Sequence, residues 1–238
     1  MFNNVFNIMK LKDVKTHPQP AVHESVPFGI LLAIVGGFLD AYTYIGRGGV
    51  FANAQTGNIV LIGIYASEGK WGKALVPIPP ILACVIGVIF AEWIKNKSPR
   101  AITLDWQRAI LVFEIIVLFI IGFIPYTVSN SVVNVTISFI ASVQVSSFRK
   151  LVDSPYATTM CTGNLKSASE AAYAAFTQKD HKAAVRSIRY FIIIFSFIMG
   201  AFLGGFLTLN IGIKAIWCAA AVLASAFILF CIGEEKNI

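Results

Sequence analysis

From residue 25 to residue 232 the chain keeps returning to runs of about twenty mostly apolar residues, the length that crosses the hydrocarbon core of a bilayer. Nothing else in the sequence constrains the fold as strongly. A soluble domain covers its surface with about a quarter charged residues, whereas this chain has 13% charged and 57% hydrophobic residues and a mean hydropathy of +0.74. The expectation is an all-α integral membrane protein embedded in a lipid bilayer. Lys and Arg cluster between the apolar runs, as in cytoplasmic loops, and no basic stripe interleaved with aromatics points to nucleic acid.

Six spans are expected. Ser25 and Pro27 suit the start of a first helix reaching about Ile45, interrupted by Gly36-Gly37 and Asp40. A second span covers about Ala74 to Trp93, its start kinked or delayed by Pro77, Pro79 and Pro80. The third runs from about Ala109 to Tyr126, and the fourth ends near Phe148. The fifth and sixth cover about Tyr190 to Leu209 and Gly212 to Ile232. Trp71, Trp93, Trp106 and Trp217 fall near span ends, where indole rings favour the headgroup region. Residues 1 to 24 read as a cytoplasmic tail and not as a signal peptide; Phe2, Val5, Phe6 and Met9 have the spacing of a short amphipathic surface helix.

The tripeptide Thr56-Gly57-Asn58 returns as Thr162-Gly163-Asn164, once in each half, and each half is expected to be one membrane repeat, 25–126 and 127–238. Positive charge arbitrates between segments that cross and segments that dip. With a cytoplasmic N-terminus and Lys166 uncounted, six spans put fourteen Lys and Arg inside and four outside; eight spans give ten and eight. The orientation bias therefore favours six spans, with both termini in the cytoplasm. Three spans per half is odd, so the halves are inverted. The first tripeptide segment then dips from outside and the second from the cytoplasm, both as re-entrant or broken helices.

Gly36-Gly-Phe-Leu-Asp-Ala-Tyr42, Asn53-Ala-Gln-Thr-Gly-Asn58 and Thr158-Thr-Met-Cys-Thr-Gly-Asn164 resemble the signatures of the YoaK-like bacterial membrane proteins, the domain of unknown function 1275. The resemblance covers about residues 27 to 232 and implies a bacterial inner-membrane protein of about six spans with no assigned biochemical role. Where the family's second half carries Asn and Arg after a glutamine, Gln144 here precedes Val145-Ser146-Ser147.

Asp40 lies deep in the first span, where a carboxylate cannot face lipid cheaply, and Glu114 lies within the third with no basic residue at i+3 or i+4. Both are candidate proton-coupling groups. Alternatively, each is a structural carboxylate satisfied by neighbouring polar groups. Glu92, beside Trp93 and near Lys95, is expected to snorkel at the cytoplasmic interface. The candidate substrate-binding residues are Gln55, Thr56, Gly57, Asn58, Thr158, Thr159, Thr162, Gly163 and Asn164. At a half-helix start, Thr and Asn suit exposed backbone donors and Gly permits close approach. Two such helix starts meeting near the midplane favour an anionic or zwitterionic substrate; tight packing of the segments is the simpler alternative. Lys166 and Glu170 have the spacing of an i, i+4 pair on a water-facing helix. The GxxxG face of Gly200 and Gly204 serves an intrachain contact or a homodimer equally well.

No metal site or cofactor is expected: the four cysteines stand singly and the three histidines form no cluster. No enzyme motif is present. These readings point to a secondary transporter or permease for a small polar metabolite, with a passive channel or a non-transporting membrane partner as alternatives.

Overall fold

The structure is a computed structural model that describes residues 22–97, 103–152, 154–156 and 161–235. The amphipathic pattern at Phe2 to Met9 and the candidate residues Thr158 and Thr159 lie outside the described residues. The helices are α1 (Val26–Gly46), α2 (Gln55–Ser67), α3 (Trp71–Leu75), α4 (Ile78–Lys97), α5 (Thr103–Ile121), α6 (Asn130–Ser147), α7 (Cys161–Gln178), α8 (His181–Ile211) and α9 (Ile216–Glu235). A two-residue antiparallel pairing, β1 (Lys150–Leu151) with β2 (Ser154–Pro155), joins α6 to α7.

Local chemistry explains the boundaries. The Ser25 hydroxyl accepts the Phe28 N–H at 3.4 Å and Pro27 sits in the first turn, so α1 begins where the sequence says it should. Gly36 and Gly37 do not break α1 as expected, because the second helps to form a close helix contact. A Cβ on Gly37 would strike the backbone of Phe197 and Ala201 in α8, and Cβ atoms on Gly200 and Gly204 would strike the backbone at Ile34 and Phe38. The GxxxG face is therefore used within the chain. Pro77 precedes α4 and delays its start to Ile78. At about 1.5 Å per residue the 31 residues of α8 measure about 46 Å, longer than a bilayer core of about 30 Å. Its first turns, carrying Lys182, Arg186 and Arg189, therefore project beyond the apolar part.

Val26–Gly46, Trp71–Lys97 and the stretch His181–Gly233, which holds α8 and α9, are long and apolar enough to cross a membrane. The expectation of an all-helical chain suited to a bilayer is met. The main core is built by α1, α5, α6 and α9, through Leu32 and Leu39, Leu111 and Leu118, Ile137, and Leu223 and Phe230 among others. Around it, α1 packs along α8 while α4 packs along α6; α9 lies against α1 and α5, and α5 against α6. A second cluster joins Val26 and Ala33 to Leu151, Tyr156, Ala168, Tyr190 and Ile193, fastening α7 and the β pairing to α1 and α8.

Candidate functional site

The chain turns back at the end of α1. Gly48 and Gly49 have φ of +94° and +80°, a conformation that side-chain-bearing residues rarely adopt, and they send residues 50–54 back alongside the helix they have just left. Asn53 reaches Gly36, donating from Nδ2 to its carbonyl at 3.2 Å. Asp40 waits one turn further along α1. Its Oδ1 accepts the backbone N–H of Asn53 at 2.6 Å and of Ala54 at 3.3 Å, and the N–H of Ala52 also faces the carboxyl. Such successive N–H groups form an anion-accepting concavity at the start of α2.

This arrangement changes the reading of the first tripeptide. The start of α2 is satisfied by Asp40 from another helix, and Ala54, at the cap position, makes no side-chain cap bond. Asn58 is wholly buried and clamps the loop: Oδ1 accepts the Phe51 N–H at 2.9 Å, while Nδ2 donates to the Phe51 carbonyl and to Gln55 Oε1, both at 2.8 Å. Gln55 in turn donates to the Ala52 carbonyl. Gly57 lies against the Phe51 ring, where a Cβ would come within 2.8 Å of a ring carbon. Thr56 is left exposed. In the second copy Thr162 is likewise exposed and Asn164 buried, but Gly163 is exposed where Gly57 is packed against Phe51. The structure thus gives Asn58 and Gln55 an internal holding task and leaves the two threonines facing outward from the fold.

The β turn that precedes the second copy is fastened to the start of α1. The Val152 N–H donates to the Glu24 carbonyl at 2.7 Å, fixing the β turn at the start of α1. Cys161, the first residue of α7, then lies within electrostatic reach of Asp40. Lys166 and Glu170 pair at 3.8 Å on an exposed face of α7, the water-facing arrangement their spacing suggests.

Glu114 is fully buried on α5 between Leu111 and Leu118, and its Oε2 accepts from Gln144 Nε2 on α6 at 2.7 Å. Asp40 Oδ2 and Glu114 Oε1 have no hydrogen-bond partner among the described residues. The two carboxyls are held by different partners, but α6 serves both neighbourhoods. From one end to the other it places Asn134 on the Arg47 carbonyl, Ser138 on the Ala52 carbonyl and Gln144 on Glu114, and its Ser147 carbonyl accepts from Gln107. These buried polar groups form a seam through an apolar core. Six residues separate Ser138 from Gln144, about 9 Å along a helix, so Glu114 sits about two turns beyond the Asp40 loop.

Arg47 is the functional candidate that sequence reasoning missed. It is fully buried at one end of the seam, where Nε donates to Tyr42 Oη at 3.2 Å and Nη2 to the Ile124 carbonyl at 2.7 Å. Its guanidinium lies over the Tyr42 and Tyr126 rings, and Tyr42 Oη donates to the Ile213 carbonyl. The available signal was a lone cation between Gly46 and Gly48, following Tyr42 and Tyr44. At the other end, Glu92 pairs with Arg149 at 2.5 Å and loosely with Lys95 at 4.0 Å, so the acid expected only to snorkel also ties α4 to the end of α6.

The family model for a protein of unknown function, DUF1275, matches residues 28–229. The chain belongs to the DUF1275 family. The match takes in every helix described above except the first two residues of α1 and the last six of α9, so both tripeptide copies and the polar seam fall inside it. The DUF1275 chain is also similar to the UPF0700 transmembrane protein YoaK of Bacillus subtilis (strain 168), at 26% identity over 146 residues, 59% of this chain and 64% of the relative. It therefore aligns with less than two thirds of that protein. No solved structure matches the DUF1275 chain. The resemblance seen in the signature residues is borne out, and with it a transmembrane family whose function is unknown.

Proposed function

We propose that this DUF1275 protein is a secondary transporter or permease of the bacterial inner membrane, moving a small polar metabolite along the α6 seam with Asp40 as the proton-coupling group. The observation that carries the reading is the seam itself: Asn134, Ser138 and Gln144 link a sealed end at Arg47, a buried carboxyl at Asp40 and a second at Glu114. Polar groups at membrane depth mark ion or substrate paths when they are not facing lipid.

The packing supports two inverted three-helix repeats. Exchanging α1, α4 and α5 with α6, α8 and α9 turns the α1–α8 contact into α6–α4, and α1–α9 into α6–α5, while α5–α9 maps onto itself; all of these contacts occur. In the first half residues 50–54 return beside α1, and in the second the β turn and α7 pack against α1 and α8. Transporters of this construction place their sites where such broken segments meet. Because Asp40 already occupies the start of α2, the site there prefers the protonated amine of a zwitterion or a proton over a second anion. Arg47 and Tyr42 together close one mouth, tying the end of α1 to Ile124 just after α5 and to Ile213 just before α9, which fits a state open toward the other. The seam's described groups are occupied in holding loops and helices together, and the reading proposed is one of transport and not of catalysis.

Uptake into proteoliposomes under an imposed pH gradient, screened with the substrates that raise the melting temperature of purified protein, tests the function. Asp40→Asn should abolish the dependence on the gradient with expression intact; unchanged coupling sinks the assignment. Cysteines at Ser67 and Lys179 should label from opposite faces of the membrane, and labelling from one face refutes the inverted repeat.

A further inference from the structure

The seam ends in a cavity of about 190 Å³ formed by α4, α5, the end of α6 and the turn before α1. Its walls carry Lys95, Arg149 and Lys150, with Trp106 and Gln107 from α5 and with Ser147 and His23. Among the described residues, the carboxylates facing these cations are Glu24 and Glu92. Three cations against two carboxylates leave one positive charge. The pairing is uneven. Arg149 is held tightly by Glu92, but Lys95 stands 4.0 Å from Glu92 and Lys150 3.8 Å from Glu24, with both lysine side chains more than half exposed. Two ammonium groups can therefore turn toward a ligand without breaking a short ion pair. Burial holds His23 below its usual protonation range, so it adds no charge near neutral pH, and its Nδ1 has no partner among the described residues.

We propose that this cavity binds a singly charged phosphate group. Its volume is below the range of about 300–1,000 Å³ that holds drug-sized ligands, which suits a headgroup or a small ion. The chemistry of its walls fits: loosely held ammonium groups for the anionic oxygens, the Gln107 amide beside them with one N–H beyond the one it gives the Ser147 carbonyl, and an indole at the depth where headgroups lie. Basic pockets between helices on the positively charged side of a membrane protein bind anionic lipid headgroups in this way. The source is an anionic phospholipid or a soluble phosphate, and the two are separable. The inference stands apart from the transport reading, because an anion held here stabilises the fold whether or not anything crosses the membrane.

The test compares melting temperatures in phosphatidylcholine nanodiscs, in nanodiscs doped with phosphatidylglycerol, and in phosphatidylcholine nanodiscs with inorganic phosphate set against chloride at equal ionic strength. A saturable rise with phosphatidylglycerol alone identifies a headgroup; a rise with inorganic phosphate identifies a soluble ligand. Either rise should be lost in the Lys95→Gln, Lys150→Gln double variant and in Ser147→Leu, which fills the cavity without changing charge. It should persist in Lys73→Gln, whose lysine lies on α3 and not in the cavity wall. No rise with either anion, or a rise that survives both cavity variants, overturns the proposal. Should the variants fail to fold, acetylation rates on the wild-type chain decide: the effective anion should slow Lys95 and Lys150 more than Lys70 and Lys73, and equal slowing at all four refutes the site.

Discussion

Replacing Asp40 separates its holding task from its charge. Two opposing effects meet there. Removing a buried carboxyl relieves desolvation, which by itself favours an apolar substitute. Removing the acceptor strands the N–H groups of Asn53 and Ala54, which bond to it at 2.6 and 3.3 Å. An unsatisfied buried donor costs about 1–3 kcal/mol. The nearest loop acceptors are already engaged: the Phe51 carbonyl accepts from Asn58, the Ala52 carbonyl from Gln55 and Ser138, and Asn58 Oδ1 takes the Phe51 N–H. The stranded donors therefore dominate, and Asp40→Ala should destabilise by about 3 kcal/mol. For a chain of this size, 1 kcal/mol corresponds to about 2–4 °C, so the variant should melt about 6–12 °C below wild type. Asp40→Asn keeps a carbonyl oxygen in place and should lose only about 2–4 °C. Thermal unfolding in detergent, followed by far-UV circular dichroism, measures both. An Asp40→Ala protein melting with wild type, or Asp40→Asn melting as low as Asp40→Ala, refutes the capping argument. The ordering matters for transport too, since a folded Asp40→Asn protein makes its uptake assay interpretable.

Three further outcomes follow from the packing. Gly200→Ala puts a Cβ against the Ile34 carbonyl and should cost about 1–3 kcal/mol in the same melt, whereas Gly63→Ala on α2, with open space at its Cβ, should be neutral or stabilising. Gln144→Ala leaves Glu114 without its one hydrogen bond among the described residues and should lower stability by about 1–3 kcal/mol; Gln144→Glu should be worse, since it sets two acids side by side. Burial depresses His23 from its usual value near 6.5, so the fold prefers the neutral ring. That contribution is intact above the unfolded value and is lost as pH falls through the folded one; a pH series of melts should show a loss of stability below about pH 6 that His23→Gln abolishes.

Apolar length and the placement of proline, glycine and charge made the helices legible. Ser25 and Pro27 mark the start of α1, Pro77 the delay of α4, and Arg149-Lys150 the end of α6, because each acts through local backbone chemistry. The tripeptides were legible as a feature but not as a task. Asn58 looked like a ligand-facing amide, yet its two bonds to Phe51 and one to Gln55 depend on a loop that two positive-φ glycines fold back, and no spacing rule encodes that return. Arg47 was hidden for a related reason. It follows the first span as a loop charge would, yet it is buried by Tyr126 and the Ile124 carbonyl, which arrive from nearly eighty residues away.

Asp40 and Gln144 bring these strands together. Each is the fifteenth residue of the first helix in its half, α1 and α6. In the first half that position carries the acid, which turns to a returning loop. In the second it carries an amide, which turns to an acid on α5. Under the proposed repeat, this position is polar in both halves, while the carboxyls sit on different helices, α1 and α5. The seam gains two carboxyls that do not repel at short range, each with one oxygen bonded and one without a partner among the described residues. Two separated sites for a proton suit stepwise movement better than a shared pair, in which one acid would hold the other neutral. Uptake by a Gln144→Asp, Glu114→Gln double variant probes this directly, since it returns the second acid to the position matching Asp40. Retained coupling to the pH gradient supports two equivalent stations along α6; lost coupling in a folded protein shows that the placement of Glu114 on α5 is itself required.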